Sequence, residues 1–143
     1  MNPKAIHEVR RFLDAQDADD SYLTAISELK LGQKATHWMW WVFPQLASLG
    51  KSERAKYYGI KNRMEAARYL ADDNLAARLE EATKVLLALP TNDPVAVMGA
   101  VDAEKLRSSW TLFEAVANPA DLYTAGLDKY FAGQADVKTL QAL

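Results

Sequence analysis

Apolar residues recur at three- and four-residue spacing along nearly the whole chain, whereas alternating apolar and polar positions are rare. Leu75, Leu79 and Leu86, for example, fall on one stripe, which is the pattern of an amphipathic helix. Several stripes are too short to be stable helices by themselves and require packing against neighbours. The pattern predicts an all-α fold of seven to nine helices, several of them short, forming one compact domain over residues 1–143.

Capping residues predict where several of these helices begin. Asp93-Pro94 and Asn118-Pro119 each place a capping residue before a proline, which is well tolerated at the first helical position. Ser52 is expected to cap a short helix, Asp102 a long one, and Asp136 a final short one.

The most unusual stretch is aromatic: positions 37–45 read HWMWWVFPQ. Trp38 and Trp41 are three apart, as core residues of a short helix are, so at least two of the three tryptophans are expected in the core. Trp40 lies off that face and is expected to line a surface or cleft. Pro44 disfavours helical geometry at the residue before it, so one turn of helix should end there and another begin at the proline.

Composition excludes several classes of protein. Half of the 143 residues are apolar and a quarter charged, as in globular domains. The chain has no cysteine and two histidines, which excludes disulfides, thiolate chemistry and a His/Cys metal site. No glycine-rich phosphate loop or dinucleotide fingerprint is present, so no cofactor is expected. Without a long apolar run, the sequence predicts a cytoplasmic protein with no membrane partner.

Charge is unevenly distributed along the chain. Seven basic residues and one acidic residue give positions 30–63 a balance of +6, and since the whole chain carries −2, the remainder carries −8. Such a dipole can orient an anionic ligand or an acidic partner surface, although ordinary solvated faces would give the same count. Nucleic-acid binding through residues 30–63 is the least favoured hypothesis, because the remainder of the chain is acidic.

Long blocks of this sequence resemble the DUF1810 family, small proteins of unknown function of which some members have been labelled calpastatin-like. The blocks are HWMW and FPQ within positions 37–45, EAARYLA at 65–71, KLRSS at 105–109 with TLF at 111–113, and LDKYF at 127–131. The resemblance covers nearly the whole chain and implies a compact all-helical fold. It supplies no reaction, ligand or catalytic set. The sequence departs from the family pattern in two places: Asp72-Asp73 replaces the usual His-Pro, and Trp110 stands where Met is more usual.

Two regions of the chain carry candidate chemistry. His37 can exchange a proton near neutrality, which makes it a weak candidate for a catalytic base or a ligand donor; the alternative is an imidazole that fixes an irregular segment. Lys105 and Ser109 are four apart on one helix face, with Ser108 beside them. Hydroxyls in a helix interior indicate either close helix packing or a polar site.

The leading hypothesis is a pocket for a small anionic ligand, formed between the His37–Gln45 segment and the Lys105–Thr111 helix. The predicted ligand-binding residues are His37, Trp40, Gln45, Ser52, Lys105, Arg107, Ser108 and Ser109. The hypothesis requires His37, Gln45, Lys105 and Ser109 to converge on one concave site. No metal is expected, and whether the protein is an enzyme stays open. The alternative is a protein-interaction module with an aromatic or basic surface, which should expose a contiguous apolar patch.

Overall fold

The computed structural model describes the backbone of residues 3–143 and the side chains from Val9 onward. Within this range the chain forms nine α-helices of at least five residues and one four-residue turn of helix. Two 3₁₀ turns, Ala18–Asp20 and Ala47–Leu49, lie between them. The helices are α1 (Pro3–Asp17), α2 (Ser21–Lys30), α3 (the single turn, Met39–Val42), α4 (Glu53–Tyr57), α5 (Arg63–Ala71), α6 (Asp73–Ala88), α7 (Pro94–Met98), α8 (Ala100–Val116), α9 (Asp121–Phe131) and α10 (Val137–Ala142). The predicted all-helical domain with several short helices is confirmed.

The core is organised around α8, which packs against α5, α7, α9 and α10. Its residues Leu106, Trp110 and Phe113 are fully buried. The indole N–H of Trp110 donates to the hydroxyl of Thr83 on α6, at 3.1 Å, so the one polar atom of this large side chain is satisfied inside the core. The predicted stripe of α6 faces the same core, and it buries Leu75, Leu79 and Leu86 almost completely.

Most of the predicted helix starts are confirmed. Ser52 accepts a hydrogen bond from the backbone N–H of Ala55, and Asp136 accepts one from Thr139. Asp93 caps α7, with Pro94 in the first turn. Each of these side chains satisfies a backbone donor that a helix start leaves without an intrahelical acceptor.

Two predicted helix starts are wrong. Asp102 does not cap α8: the helix begins at Ala100, directly after Gly99, whose positive φ of 85° interrupts the helical backbone between α7 and α8. The carboxylate of Asp102 is bonded to a lysine instead. Likewise α9 begins at Asp121 rather than at Pro119, with Ala120 as the residue before it.

The helix expected to begin at Pro44 is also absent. The predicted turn of helix does end where expected, with Phe43 following α3. After it the chain pairs with a distant segment: the N–H of Ala47 donates to the carbonyl of Ile60, and the N–H of Ile60 donates to the carbonyl of Gln45, both at 2.8 Å. Pairing with a distant segment therefore takes the place of helix formation after Pro44.

A close contact between Gly126 and Trp110 links α9 to α8. A β-carbon at position 126 would lie 2.9 Å from the indole of Trp110, closer than side chains normally approach. In a helix interior, Gly→Ala ordinarily stabilises by about 1 kcal/mol. We expect the opposite here: Gly126→Ala should lower the free energy of unfolding by about 1–3 kcal/mol, because a rigid, buried indole cannot move aside.

The control for this prediction is a background in which methionine replaces the indole at position 110. In a Trp110→Met background the flexible methionine can accommodate the added methyl group, so Gly126→Ala should cost clearly less than in the Trp110 protein. Urea unfolding of the four proteins in this double-mutant cycle measures the coupling. An equal cost in both backgrounds would show that the indole is not the obstacle.

Candidate ligand-binding site

A cleft of about 510 Å³ lies where the irregular segment between α2 and α3 meets the junction of α7 and α8. This volume is in the range of small-molecule sites, roughly 300–1,000 Å³. Its lining residues are Lys34, His37, Met39, Trp40, Met98, Gly99, Ala100, Val101, Asp102 and Lys105. Three predicted site residues, His37, Trp40 and Lys105, thus lie around one hollow, although Lys105 is 65 or more positions from the other two in the chain.

Lys34 and Asp102 form an ion pair in the wall of the cleft, with 2.8 Å between Nζ and Oδ2. The Lys34 side chain is only 7% exposed, and its ammonium also donates to the carbonyl of Thr36. Its backbone N–H donates to the carbonyl of Val97 on α7, at 2.8 Å. These contacts fasten the irregular segment to the α7–α8 junction and keep a positive charge beside the hollow.

Lys105 lies one helical turn beyond Asp102 and completes the charged side of the cleft. Its Nζ is 3.7 Å from the other carboxylate oxygen of Asp102 and 5.1 Å from the ring centroid of Trp40. At 3.7 Å this ion pair is long, because Asp102 is already bonded to Lys34 at 2.8 Å. The ammonium of Lys105 is therefore the cation most available to a ligand.

The first turn of α8 forms part of the cleft wall. The opening N–H groups of a helix have no intrahelical acceptor, and they lie at the positive end of its dipole. Gly99 supplies no capping side chain. No atom outside its immediate neighbours lies within 4 Å of the point where a side chain would begin at Gly99, so a ligand can approach the backbone there. This wall adds positive potential to that of the two lysines.

Glu28, buried at the end of α2, holds the segment that forms the opposite wall. Its carboxylate accepts hydrogen bonds from the backbone N–H groups of Ala35 and Thr36, the hydroxyl of Thr36 and the indole of Trp38, at 2.6–2.9 Å. Burial by itself would raise the pKa of this carboxyl group, but the four donors outweigh it and lower the pKa from 4.5 to about 2. Residues on both sides of His37 are thereby fixed by one anion.

The tryptophans divide as predicted. Trp38 is buried, with 1% of its surface exposed, and Trp41 is partly buried against the core. Trp40 is partly exposed and lines the cleft. His37 is exposed at its mouth, with its ring centroid 6.5 Å from that of Trp40.

Five predicted ligand-binding residues lie outside the cleft. Gln45 belongs to the segment that pairs with Ile60, and Ser52 caps α4. Ser109 is fully buried, and its hydroxyl has no hydrogen-bond partner among the described residues. Arg107 and Ser108 face the C-terminal segment. The requirement that Gln45 and Ser109 converge with His37 and Lys105 is therefore not met.

The KLRSS block instead anchors the chain that leads into α10. Arg107 Nε donates to the carbonyl of Gln134, and the hydroxyl of Ser108 donates to the carboxylate of Asp136. The hydroxyl of Thr111 accepts from the backbone N–H of Asp136. These polar groups on α8 satisfy an N-cap residue of another helix, which explains hydroxyls in a helix interior without a ligand.

Sequence reasoning missed three residues that build the cleft: Lys34, Asp102 and Glu28. Lys34 was counted only in the basic stretch, and Asp102 was interpreted as a cap. The spacing of Asp102 and Lys105, three apart on a helix, was an available signal, because such residues are neighbours on its surface. Nothing local to Glu28 indicates that it binds a loop up to ten residues further on.

A second cavity, of about 620 Å³, lies among α5, α6, α8 and α9. Its lining is mostly alanine, leucine and valine, and the one lysine in it, Lys84, forms an ion pair with Glu80 at 2.7 Å.

Within the described part of the chain, no group of three or more His, Asp or Glu residues is placed to hold a metal ion. None of the helices formed by residues 3–143 combines the length and apolar character that a membrane span needs.

Fold and cleft together define a small, compact, all-helical protein with a charged hollow at the junction of two helices. The model of the DUF1810 family, described as a protein of unknown function, matches residues 6–143, and the chain belongs to this family. The structure is similar to the crystal structure of the conserved hypothetical protein Rv1873 from Mycobacterium tuberculosis. The TM-score is 0.91 at 38% sequence identity, over 95% of this chain and 96% of that chain. No curated protein matches the sequence.

Proposed function

We propose that this protein binds a small anionic ligand in the cleft between the Lys34–Trp40 segment and the start of α8. The observation that carries the proposal is the convergence of Lys34, His37, Trp40 and Lys105 on one open hollow of small-molecule size. Charged and aromatic groups that converge in a concave site are the usual mark of a binding pocket. The larger cavity lacks this feature, because its one lysine, Lys84, faces two carboxylates, Glu80 and Asp121, and its lining carries no excess of positive charge.

Charge favours an anion over a cation or a neutral ligand. Lys34 and Lys105 face the single carboxylate of Asp102, and the N-terminal end of α8 adds its dipole. An anion can take the weakly held Lys105 ammonium without breaking the shorter bond between Lys34 and Asp102. Val101 and the indole of Trp40 supply an apolar surface for the remainder of the ligand. A metabolite ligand suits the cytoplasmic location that the sequence predicts.

A catalytic role for His37 stays a prediction. Its position at the mouth of the cleft allows a hydrogen bond to a bound ligand or a proton transfer to it. The interaction-module alternative also stays a prediction. The large apolar side chains with at least half of their surface exposed are spread over many elements of the fold. They are Leu23, Leu31, Tyr57, Met64, Val95, Val101, Val137 and Leu140.

The test is thermal unfolding of the protein in the presence of small anions, including inorganic phosphate, di- and tricarboxylates and mononucleotides. A ligand that binds only the folded state raises the melting temperature. Lys105→Gln should weaken binding of any anion found in this way at least about tenfold, since a hydrogen bond to a charged group contributes roughly 1.5–3 kcal/mol.

Lys84→Gln is the matched control, because it removes the same charge from an exposed ion pair on α6, outside the cleft. It should leave the affinity unchanged. Equal weakening by both substitutions would indicate unspecific attraction to the protein's charge and would contradict the proposed site.

A further inference from the structure

Trp40 is contacted by two cations from separate parts of the chain. The guanidinium carbon of Arg54, on α4, lies 5.0 Å from the Trp40 ring centroid, and the Nζ of Lys105, on α8, lies 5.1 Å from it. The two charges are therefore at most about 10 Å apart, within the distance at which like charges still repel in salt solution. Attraction to the face of an indole offsets part of that cost, about 0.5–1 kcal/mol for each exposed cation.

Carboxylates do not neutralise this pair of cations. The ion pairs formed within the described residues include none to Arg54, whose side chain is exposed. Asp102 lies 3.7 Å from Lys105 but is closer to Lys34, at 2.8 Å. Three cations, Lys34, Arg54 and Lys105, thus face one carboxylate of the cleft lining, Asp102, because the carboxylate of Glu28 is buried and already accepts from its own four donors. Among the groups at the cleft surface this leaves an excess of two positive charges. An oxyanion carrying two negative charges would balance it.

The apolar side of the cleft indicates what the anion is attached to. Val101 stands exposed at the rim of the cleft and the partly exposed indole of Trp40 lines it, whereas Met39 and Met98 are almost completely buried and add little accessible surface. An inorganic ion would leave this surface unused. A phosphate monoester combines a double negative charge with an apolar group. Its phosphate carries about −1.5 to −2 charges at neutral pH, and its organic group can cover the apolar side chains.

Resting on the anion site proposed above, we propose that its ligand is a phosphate monoester, whose phosphate bridges Lys105 and Arg54 beside Trp40. Arg54 is then a binding residue that does not belong to the lining of the cleft. A guanidinium group can donate two parallel hydrogen bonds to a phosphate, and its length and exposure let it turn from the indole face to the ligand.

Phenyl phosphate and benzoate are a matched pair of probes, since they share one ring and differ in charge. At about pH 8 phenyl phosphate is a dianion and benzoate a monoanion. Isothermal titration of the unaltered protein should give an affinity for phenyl phosphate at least about tenfold higher than for benzoate. Arg54→Gln should weaken phenyl phosphate binding about tenfold and benzoate binding much less, so the preference largely disappears.

Lys56→Gln is the control for Arg54→Gln, because it removes one positive charge from the same short helix at an exposed position. It should leave both affinities unchanged. Melting temperatures of the two variants should equal that of the unaltered protein, which separates a loss of binding from a loss of folding.

The possible failures of the two proposals are distinguishable. If benzoate binds as tightly as phenyl phosphate and Lys105→Gln weakens both, the anion site stands and the phosphate monoester is wrong. The same conclusion follows if Arg54→Gln has no more effect than Lys56→Gln. If the protein binds neither probe at millimolar concentration, both proposals are contradicted.

Discussion

Arg11→Ala is expected to lower the free energy of unfolding by about 3–5 kcal/mol, the largest effect of any single substitution considered for this protein. Arg11 Nη2 lies 2.9 Å from a carboxylate oxygen of Glu65, whose side chain is fully buried. The guanidinium group also donates to the carbonyls of Tyr57 and Gly59, at 2.8 and 2.7 Å. Removing Arg11 would take the guanidinium group away from two carbonyls and from the buried carboxylate of Glu65, which would keep the backbone N–H of Lys61 as a donor but lose its cation.

The neighbouring residue supplies the control. Arg10 forms an ion pair with Asp14 at 3.1 Å, but both side chains are more than 60% exposed. Arg10→Ala should change stability by no more than about 0.5 kcal/mol, because water screens an exposed pair. Urea unfolding of the two variants compares the same substitution at adjacent positions of one helix, and similar values for both would mean that α1 is not held by the buried pair.

A double variant separates the cost of a broken pair from the value of an intact one. Arg11 and Glu65 each keep one buried polar atom without a hydrogen-bond partner. The hydrogen-bonding capacity of the two charged groups is therefore not fully used. Replacing both residues should lower the free energy of unfolding by clearly less than the sum of the two single substitutions. Strict additivity would show that the two residues act independently.

Glu28→Gln is expected to lower the free energy of unfolding by about 3 kcal/mol at neutral pH. The lowered pKa of this carboxyl group, about 2 against 4.5, corresponds to roughly that free energy at 1.36 kcal/mol per pKa unit. Because the folded-state pKa is depressed, the contribution is fully present above about pH 4.5 and is lost as the pH falls toward 2. The difference in free energy of unfolding between Glu28→Gln and the unaltered protein should therefore become smaller as the pH falls over that interval.

Urea unfolding at several pH values between 7 and about 3 measures this difference. Glu80→Gln is the control, because Glu80 is half exposed and its ion pair with Lys84 lies outside the cleft. Glu80→Gln should lower the free energy of unfolding only slightly at every pH. A Glu28→Gln deficit that did not change as the pH fell would show that hydrogen bonds to the charged carboxylate are not its source.

Glu28 also connects stability with the proposed function. The loop that it binds carries Lys34 and His37, and one of its donors is the indole of Trp38. A loosened loop would have to be ordered again when a ligand binds, and that ordering lowers affinity. The Glu28→Gln protein should therefore bind an anion more weakly even under conditions where it is fully folded.

The local signals of the sequence were reliable where a helix start or stop depends on its own neighbours. Ser52, Asp93 and Asp136 cap the helices expected of them. These features depend on backbone geometry within one turn, which nearby residues determine. The prediction failed at Pro44 and Asp102, where a distant segment supplies a better partner for the backbone or the side chain.

The candidate site was predictable only in part, and for the same reason. The placement of Trp40 off the core face followed from its spacing to Trp38 and Trp41, because helical periodicity is local. Arg107 and Ser108 were predicted to bind a ligand, but they donate their hydrogen bonds to the segment 134–136. Nothing in the sequence near these two residues indicates that this segment folds against them. The same helix face can serve a ligand or another helix, and sequence spacing does not distinguish the two.

By itself, the sequence determined the helical class, most helix ends, the family and the absence of disulfides, since these depend on residue types and short-range spacing. Tertiary structure alone decided that Lys34 and Asp102 pair beside Lys105, that Glu28 holds the loop next to them, and that Ser109 is buried. The physical reason is that a charge or hydroxyl is satisfied by whichever group the folded chain brings within hydrogen-bond distance, and that partner is fixed by packing rather than by position in the chain.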